Sequence, residues 1–169
     1  GVATQMGNQG NSGEGIRQIT EWIWAGAIGE ITHVDAWTTS PKWPQPQQRP
    51  DRDKRVPREL DWELFVGPAN WRDYHPVYHP WKWRAWWNFG TSTLGFMGTH
   101  ILDPVFKALK LEYPSSVEAS STPFNIDSPP KSEFVRYEFA RRDNLPKVAM
   151  SKVSVHWYDG GMIDRKSVV

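Results

Sequence analysis

Trp86-Trp87-Asn88-Phe89-Gly90-Thr91-Ser92-Thr93-Leu94-Gly95-Phe96-Met97-Gly98-Thr99-His100-Ile101-Leu102-Asp103 reads as a glycine-spaced turn running into a helix that carries a single histidine. Leu94, Met97, Ile101, Val105 and Ala108 recur at helical spacing, which predicts one apolar face over residues 92–110. Pro104 either kinks this helix or opens a second one, with Asp103 as N-cap and proline at the first helical position. The helix is where the chain gathers its chemistry, and the flanking segments decide what it packs against.

After it come three strand candidates, residues 116–121, 133–140 and 148–157. Turn residues at Asp127-Ser128-Pro129-Pro130 and Arg141-Arg142-Asp143-Asn144 separate them, the pattern of antiparallel neighbours. Before it, Asn11 and Glu14 form a capping-box pair, and Ile16, Ile19 and Ile23 follow at helical spacing to about Ala25, with Trp22 and Trp24 widening the apolar surface. Gly26 and Gly29 stop that helix. Residues 30–40 then alternate as a strand, with Ile31, His33, Asp35 and Trp37 on one face and Thr32, Val34, Ala36 and Thr38 on the other. Residues 2–6 read as a short buried strand. Residues 41–58, dense in proline, glutamine and charge (Arg49, Arg52, Lys54, Arg55 and Arg58 among Asp51 and Asp53), read as a solvated excursion. A helical turn is expected at residues 60–66, before Gly67-Pro68, and residues 71–87 hold too many Pro, His and Trp for regular structure.

Composition narrows the function. Twenty basic against 19 acidic residues give a net charge of +1, so nothing draws the chain to nucleic acid or an anionic membrane surface. No apolar run approaches the roughly 20 residues of a membrane span, and the compartment stays open between cytoplasm and periplasm. The absence of cysteine removes disulfides, thiolate metal sites and cysteine nucleophiles. Aromatic content stands out, with 11 Trp concentrated around residues 62–89; such rings either line a carbohydrate cleft or pack beneath long loops.

Gln5-Met6-Gly7-Asn8-Gln9, Leu60-Asp61-Trp62, Gly67-Pro68-Ala69, Trp83-Arg84, Trp86-Trp87, Gly98, His100, Asp103 and His156-Trp157-Tyr158-Asp159-Gly160-Gly161 together resemble the substrate domain of the Gfo/Idh/MocA family of nicotinamide-dependent oxidoreductases. The resemblance implies an α+β domain with an open, mainly antiparallel sheet and helices packed on one face. It implies a remnant of the last Rossmann strand and a linker at residues 1–10, one substrate or oligomerisation-type domain at residues 11–161, and a tail at residues 162–169. The family's Gly-rich dinucleotide loop and its Glu-Lys-Pro segment would lie upstream, so the Rossmann domain is expected to be absent. NAD or NADP would serve the full-length parent, with none held tightly by this chain alone. Gly7, Gly10 and Gly13 do not replace that loop, because they lack the G-x-G-x-x-G spacing. The implied partners are a sugar-like substrate, the missing Rossmann domain and a second copy of the chain through the open sheet.

The resemblance also names site residues. His100 is the candidate base, since a neutral imidazole near pH 7 can take the proton of a sugar hydroxyl. The family carries an aspartate one turn before this histidine; Phe96 stands here, which removes an acceptor beside the imidazole. Asp103 could orient His100 only if the helix is unbroken at Pro104. Trp83 and Trp87 are candidate stacking surfaces, Arg84 a hydrogen-bond donor, and Tyr74 and His75 further lining, with Asn8 and Gln9 on the cofactor side. Arg84 could instead pair with Asp61 and hold the loop. His75 and His79 sit four apart, yet Pro76 and Pro80 argue against the helix that would aim both at one ion, and no metal site is expected in the chain. Two other functions remain open: a non-catalytic module binding carbohydrate or protein, and an NAD-dependent glycoside hydrolase relative.

Overall fold

The computed structural model describes residues 1–51, 54–143 and 151–162. Its elements run α1 (Glu14–Trp24), β1 (His33–Trp37), α2 (Trp62–Val66), α3 (Ser92–Leu109), β2 (Ser116–Ser121), β3 (Glu133–Phe139) and β4 (Val153–Tyr158), with 3-10 turns at Gln9–Ser12 and Lys82–Ala85. The four strands form an open mixed sheet in the order β1-β4-β3-β2. β2 with β3 and β3 with β4 are antiparallel, as the turns predicted, while β1 joins the edge of β4 in parallel. The domain is therefore α+β with a mostly antiparallel sheet.

Alternation along the strands separates the two sheet faces. Val34 and Ala36 of β1, Val153, Val155 and Trp157 of β4, and Val135, Tyr137 and Phe139 of β3 face the helices and form hydrocarbon clusters with Leu102, Val105 and Ile101 of α3. His33 and Asp35, Ser154, His156 and Tyr158, and Phe134, Arg136 and Glu138 occupy the opposite face, which no helix among the described residues covers. α1 lies on α3, with Ile23 packed in the shared core; the buried Thr20 hydroxyl is satisfied by the Ile16 carbonyl at 2.7 Å, and Trp24 Nε1 donates to the Ala108 carbonyl at 2.9 Å. Ile19, 47% exposed, lines an open apolar hollow with Ile23, Val34, Pro104 and Val105, and Trp22 is 54% exposed, so α1 keeps apolar surface at the solvent.

Pro104 lies inside α3, which continues unbroken to Leu109. The proline takes away the helical donor for the His100 carbonyl, and packing of α3 against the sheet keeps the helix whole. Asp103 is thus a helical residue, not an N-cap.

Several local expectations need correction. Residues 2–6 form no strand: Val2 and Met6 are 88% and 76% exposed, and no strand among the described residues pairs with them. The capping box does not form either. Gly13 is the N-cap of α1 without a side-chain bond, and Asn11 sits in the preceding 3-10 turn, where its Oδ1 accepts from Lys107 Nζ at 3.2 Å. The proline-rich segment is solvated only in its later part. Trp43 and Gln45 are buried, Trp43 Nε1 donates to Gln45 Oε1 at 2.7 Å, and Gln45 Nε2 donates to Ser92 Oγ at 3.0 Å and to the Pro130 carbonyl. A glutamine with both ends satisfied is affordable in a core, and its neighbouring indole drives it inward. β4 begins at Val153; residues 148–150, Asn144, Arg52, Asp53 and all but the first residue of the expected tail lie outside the described residues. Among the described residues no helix is long and apolar enough to cross a membrane.

A second core lies beyond the N-terminal end of α3. Trp43, Trp62, Val66, Tyr74, Tyr78, Ala85 and Trp86 are buried together, with Phe65, Phe89 and Phe96 against them. Trp62 Nε1 donates to the Arg72 carbonyl at 2.7 Å and Trp86 Nε1 to the Val77 carbonyl at 2.8 Å, so the loop's own backbone satisfies its indoles. Buried Arg72 pairs with Asp127 and lies near the Tyr78 and Trp86 rings. The long aromatic segment is ordered mainly by packing on itself.

Candidate functional site

Where the aromatic loop meets the start of α3, the surface opens into a cleft of about 300 Å³ lined by Trp83, Arg84, Trp87, Asn88, Phe89, Gly90, Thr91, Ser92, Gly95 and Phe96. A second hollow, bounded by Phe65, Val66, Pro68 and Ala69, shares Trp83, Asn88 and Phe89 with it. Two glycines set the shape. A Cβ on Gly90 would stand 2.7 Å from Arg84 Cα, and one on Gly95 would stand 1.8 Å from Thr91 Oγ1. The bare Gly90 lets the 3-10 turn carrying Arg84 press against the chain entering α3, and the bare Gly95 leaves room for the Thr91 side chain at the helix start.

Arg84 is the electrostatic centre of the cleft. Its Cζ lies 4.2 Å from the centroid of the Trp81 ring, 4.3 Å from Trp83, 4.8 Å from Phe96 and 5.7 Å from Trp43. One terminal nitrogen donates to the Trp81 carbonyl at 3.1 Å, while the buried Nε has no acceptor. Desolvation among the rings lowers its pKa. Arg84 does not pair with Asp61, which caps α2 by accepting from the Leu64 N–H at 3.0 Å. The guanidinium is held by ring faces and keeps donor capacity for an oxygen-rich guest.

The other predicted residues divide into groups. Trp83 and Trp87 do line the cleft; Trp87 is 42% exposed, with its Nε1 donating to the Asn125 carbonyl at 3.3 Å. Tyr74 does not, being 7% exposed and packed on Trp62 at a centroid distance of 5.2 Å. His75 is a turn residue whose Nδ1 accepts from the Val77 N–H at 3.2 Å. Tyr74 thus belongs to the loop's core and His75 to the turn that follows it. His100 is exposed and lies one turn beyond the cleft wall, its ring edge-on to Phe96 at 6.0 Å. Asp103 is half-buried and makes no hydrogen bond to His100. Asn8 and Gln9 begin the N-terminal 3-10 turn, Asn8 in the left-handed region at φ 36°, and this turn packs against α3 toward Lys107. Phe96, His100 and Lys107 are thus strung along one helix, with about 16 Å of axial rise from first to last.

Residues 19–143 match the family described as "Oxidoreductase family, C-terminal alpha/beta domain". The chain belongs to the Gfo/Idh/MocA oxidoreductase family. A comparison with curated proteins finds no match. Within this Gfo/Idh/MocA domain Gly7, Gly10 and Gly13 flank or occupy a 3-10 turn, and among the described residues there no strand, glycine-rich turn and helix follow one another.

Beneath the start of α3 lies a buried acidic pair that sequence reasoning did not single out. Burial, and then the charge of Asp159, push Glu133 up to about 7, with a backbone bond from Leu94 opposing. Asp159 is also raised by burial, although it accepts from the Glu133 N–H at 2.7 Å and from Trp157 Nε1 at 3.3 Å. Those donors make Asp159 the ionised partner and leave the proton on Glu133. Gln45 and Trp43 were also missed. Their signal was an indole in a segment otherwise too polar to need one.

Proposed function

We propose that this domain is the substrate-binding half of an NAD(P)-dependent oxidoreductase acting on a sugar or sugar derivative, with the cofactor held by a separate Rossmann domain. The observation that carries the reading is the cleft at the start of α3, where two indoles and an unpaired guanidinium face the same space one turn from His100. Trp83 and Trp87 offer flat apolar faces to the C–H side of a pyranose. Arg84 donates to a ring substituent oxygen, a carboxylate included. His100, exposed beyond Phe96, takes the proton of a substrate hydroxyl that projects out of the cleft. Asn8 and Gln9 lie toward the other end of the same helix face, on the side where the cofactor domain would sit, and the exposed Ile19 and Trp22 give that domain apolar surface to dock on. A second copy of the chain on the open sheet face would complete the assembly.

Phe96 favours a second reading, a carbohydrate-binding module without catalysis, because it presents a ring edge to His100 where a carboxylate would act on it. One assay separates the two. The domain is combined with a dinucleotide-binding domain and NAD(P), and a panel of sugars is scored for binding and for nicotinamide reduction. Reduction that is lost in His100→Ala supports the oxidoreductase; sugar binding with no reduction across the panel supports the module. Absence of any sugar binding overturns both.

A further inference from the structure

The sheet face opposite α3, away from the cleft, carries a cluster of a different kind. β1 and β4 run parallel with Asp35 opposite His156, and His33 precedes Asp35 by two residues on the same face. One ligand atom each from His33, Asp35 and His156 come within 4.8 Å of one another. Asp35 Oδ1 lies 3.0 Å from His33 Nε2 and 3.7 Å from His156 Nδ1, and the two imidazoles meet edge to face at 4.4 Å. Yet this carboxylate oxygen is buried and accepts no hydrogen bond. A buried anionic oxygen crowded by two imidazole nitrogens, neither aiming an N–H at it, calls for a cation between them.

The hydrogen bonds around His156 hold it ready for that role. Ser154 Oγ donates to Glu138 Oε1 at 2.9 Å, so toward His156 Nε2, also at 2.9 Å, the hydroxyl can only accept. His156 then carries its proton on Nε2 and presents a bare Nδ1 to Asp35. A ring whose remote N–H is anchored through an oxygen to a carboxylate is the usual support of a metal-bound histidine. Tyr158 Oη stands 3.2 Å from the same Nδ1, able to donate to it or to turn to a metal-bound water. The neighbouring cation, Arg136, is paired with Glu118 at 2.5 Å and with Glu138 at 3.6 Å, which offsets its repulsion of an ion.

We propose that His33, Asp35 and His156 form a binding site for a divalent transition-metal ion of the zinc class, through one nitrogen from each imidazole and one carboxylate oxygen, with a fourth position open. Ligand bonds of about 2.0–2.1 Å in a tetrahedron place donor atoms about 3.3 Å apart. The separations of 3.0 and 3.7 Å bracket that value, and His33, 45% exposed, has room to rotate the remainder. Two nitrogens and one oxygen select zinc, cobalt or nickel over calcium or magnesium. The bound ion ties edge strand β1 to β4.

The test uses the full chain stripped with chelator and titrated with Zn²⁺ by calorimetry and with Co²⁺ by visible d–d absorption. One ion per chain is expected, with a tetrahedral Co²⁺ spectrum and a raised thermal midpoint in Zn²⁺. Asp35→Asn and His33→Gln, both checked for folding by circular dichroism, should each lose at least about 100-fold in affinity. Ser154→Ala keeps all three ligands and should lose about 10- to 100-fold. His79→Gln, in the aromatic loop, should bind like the parent. Binding that survives Asp35→Asn and His33→Gln, binding lost in His79→Gln, or no saturable Co²⁺ binding at all overturns the proposal. None of these readouts involves the cleft, so they stand apart from the test of the oxidoreductase reading.

Discussion

Trp62 and Trp86, with their neighbours Tyr74 and Tyr78, are sealed in the aromatic loop's core, while Trp83 and Trp87, a few residues away, face the cleft beside Arg84. Residue type and local sequence are nearly the same in both sets. The difference is where the indole N–H goes and what meets the ring face. Trp62 and Trp86 give their N–H groups to carbonyls inside the loop, at 2.7 and 2.8 Å. Trp87 reaches only a rim carbonyl at 3.3 Å, and Trp83 lies against a guanidinium. Aromatic enrichment therefore builds a floor first, and the rings left over at its edge line the cleft.

Exchanging members of the two sets should break this contrast most sharply. Trp86→Ala removes a fully buried indole and should cost about 3–5 kcal/mol in denaturant unfolding. Gly90→Ala drives a methyl into the Arg84 backbone; it should cost about 1–3 kcal/mol and also weaken sugar binding, because the 3-10 turn must move. The acidic pair beneath α3 gives a smaller effect with a defined sign. Glu133 is raised from 4.5 to about 7, so the folded state binds more protons than the unfolded state across that window. Stability should fall as pH rises from about 4.5 to about 7, by about 1–2 kcal/mol after solvent screening, and Glu133→Gln should flatten the slope in pH-dependent melts. Trp83→Ala should change stability least, by less than about 1 kcal/mol, yet reduce sugar affinity at least about 10-fold by calorimetry.

Much of the fold was legible because periodicity reports burial directly. The apolar spacing from Leu94 to Ala108 located α3, and alternation in residues 30–40 assigned Val34 and Ala36 to one face and His33 and Asp35 to the other. What periodicity does not carry is partnership. Nothing in residues 2–6 says whether a neighbouring strand exists, and nothing near Gln45 says that Ser92 and the Pro130 carbonyl await it. The site was half legible for the same reason. Trp83, Arg84 and Trp87 reach the cleft, but Tyr74 belongs to the loop's core and His75 to the turn that follows it. The pairing of Asp35 with His156 needed a parallel register, which sequence separation hides.

The most direct test of the cleft uses the indole N–H resonances as position-specific reporters during a sugar titration by NMR. The cross-peaks of Trp83 and Trp87 should move with a shared saturation curve, while those of Trp62 and Trp86 stay fixed. Fixed Trp83 and Trp87 signals at saturating sugar, or shifts centred on Trp62 and Trp86, would contradict the cleft as the sugar site.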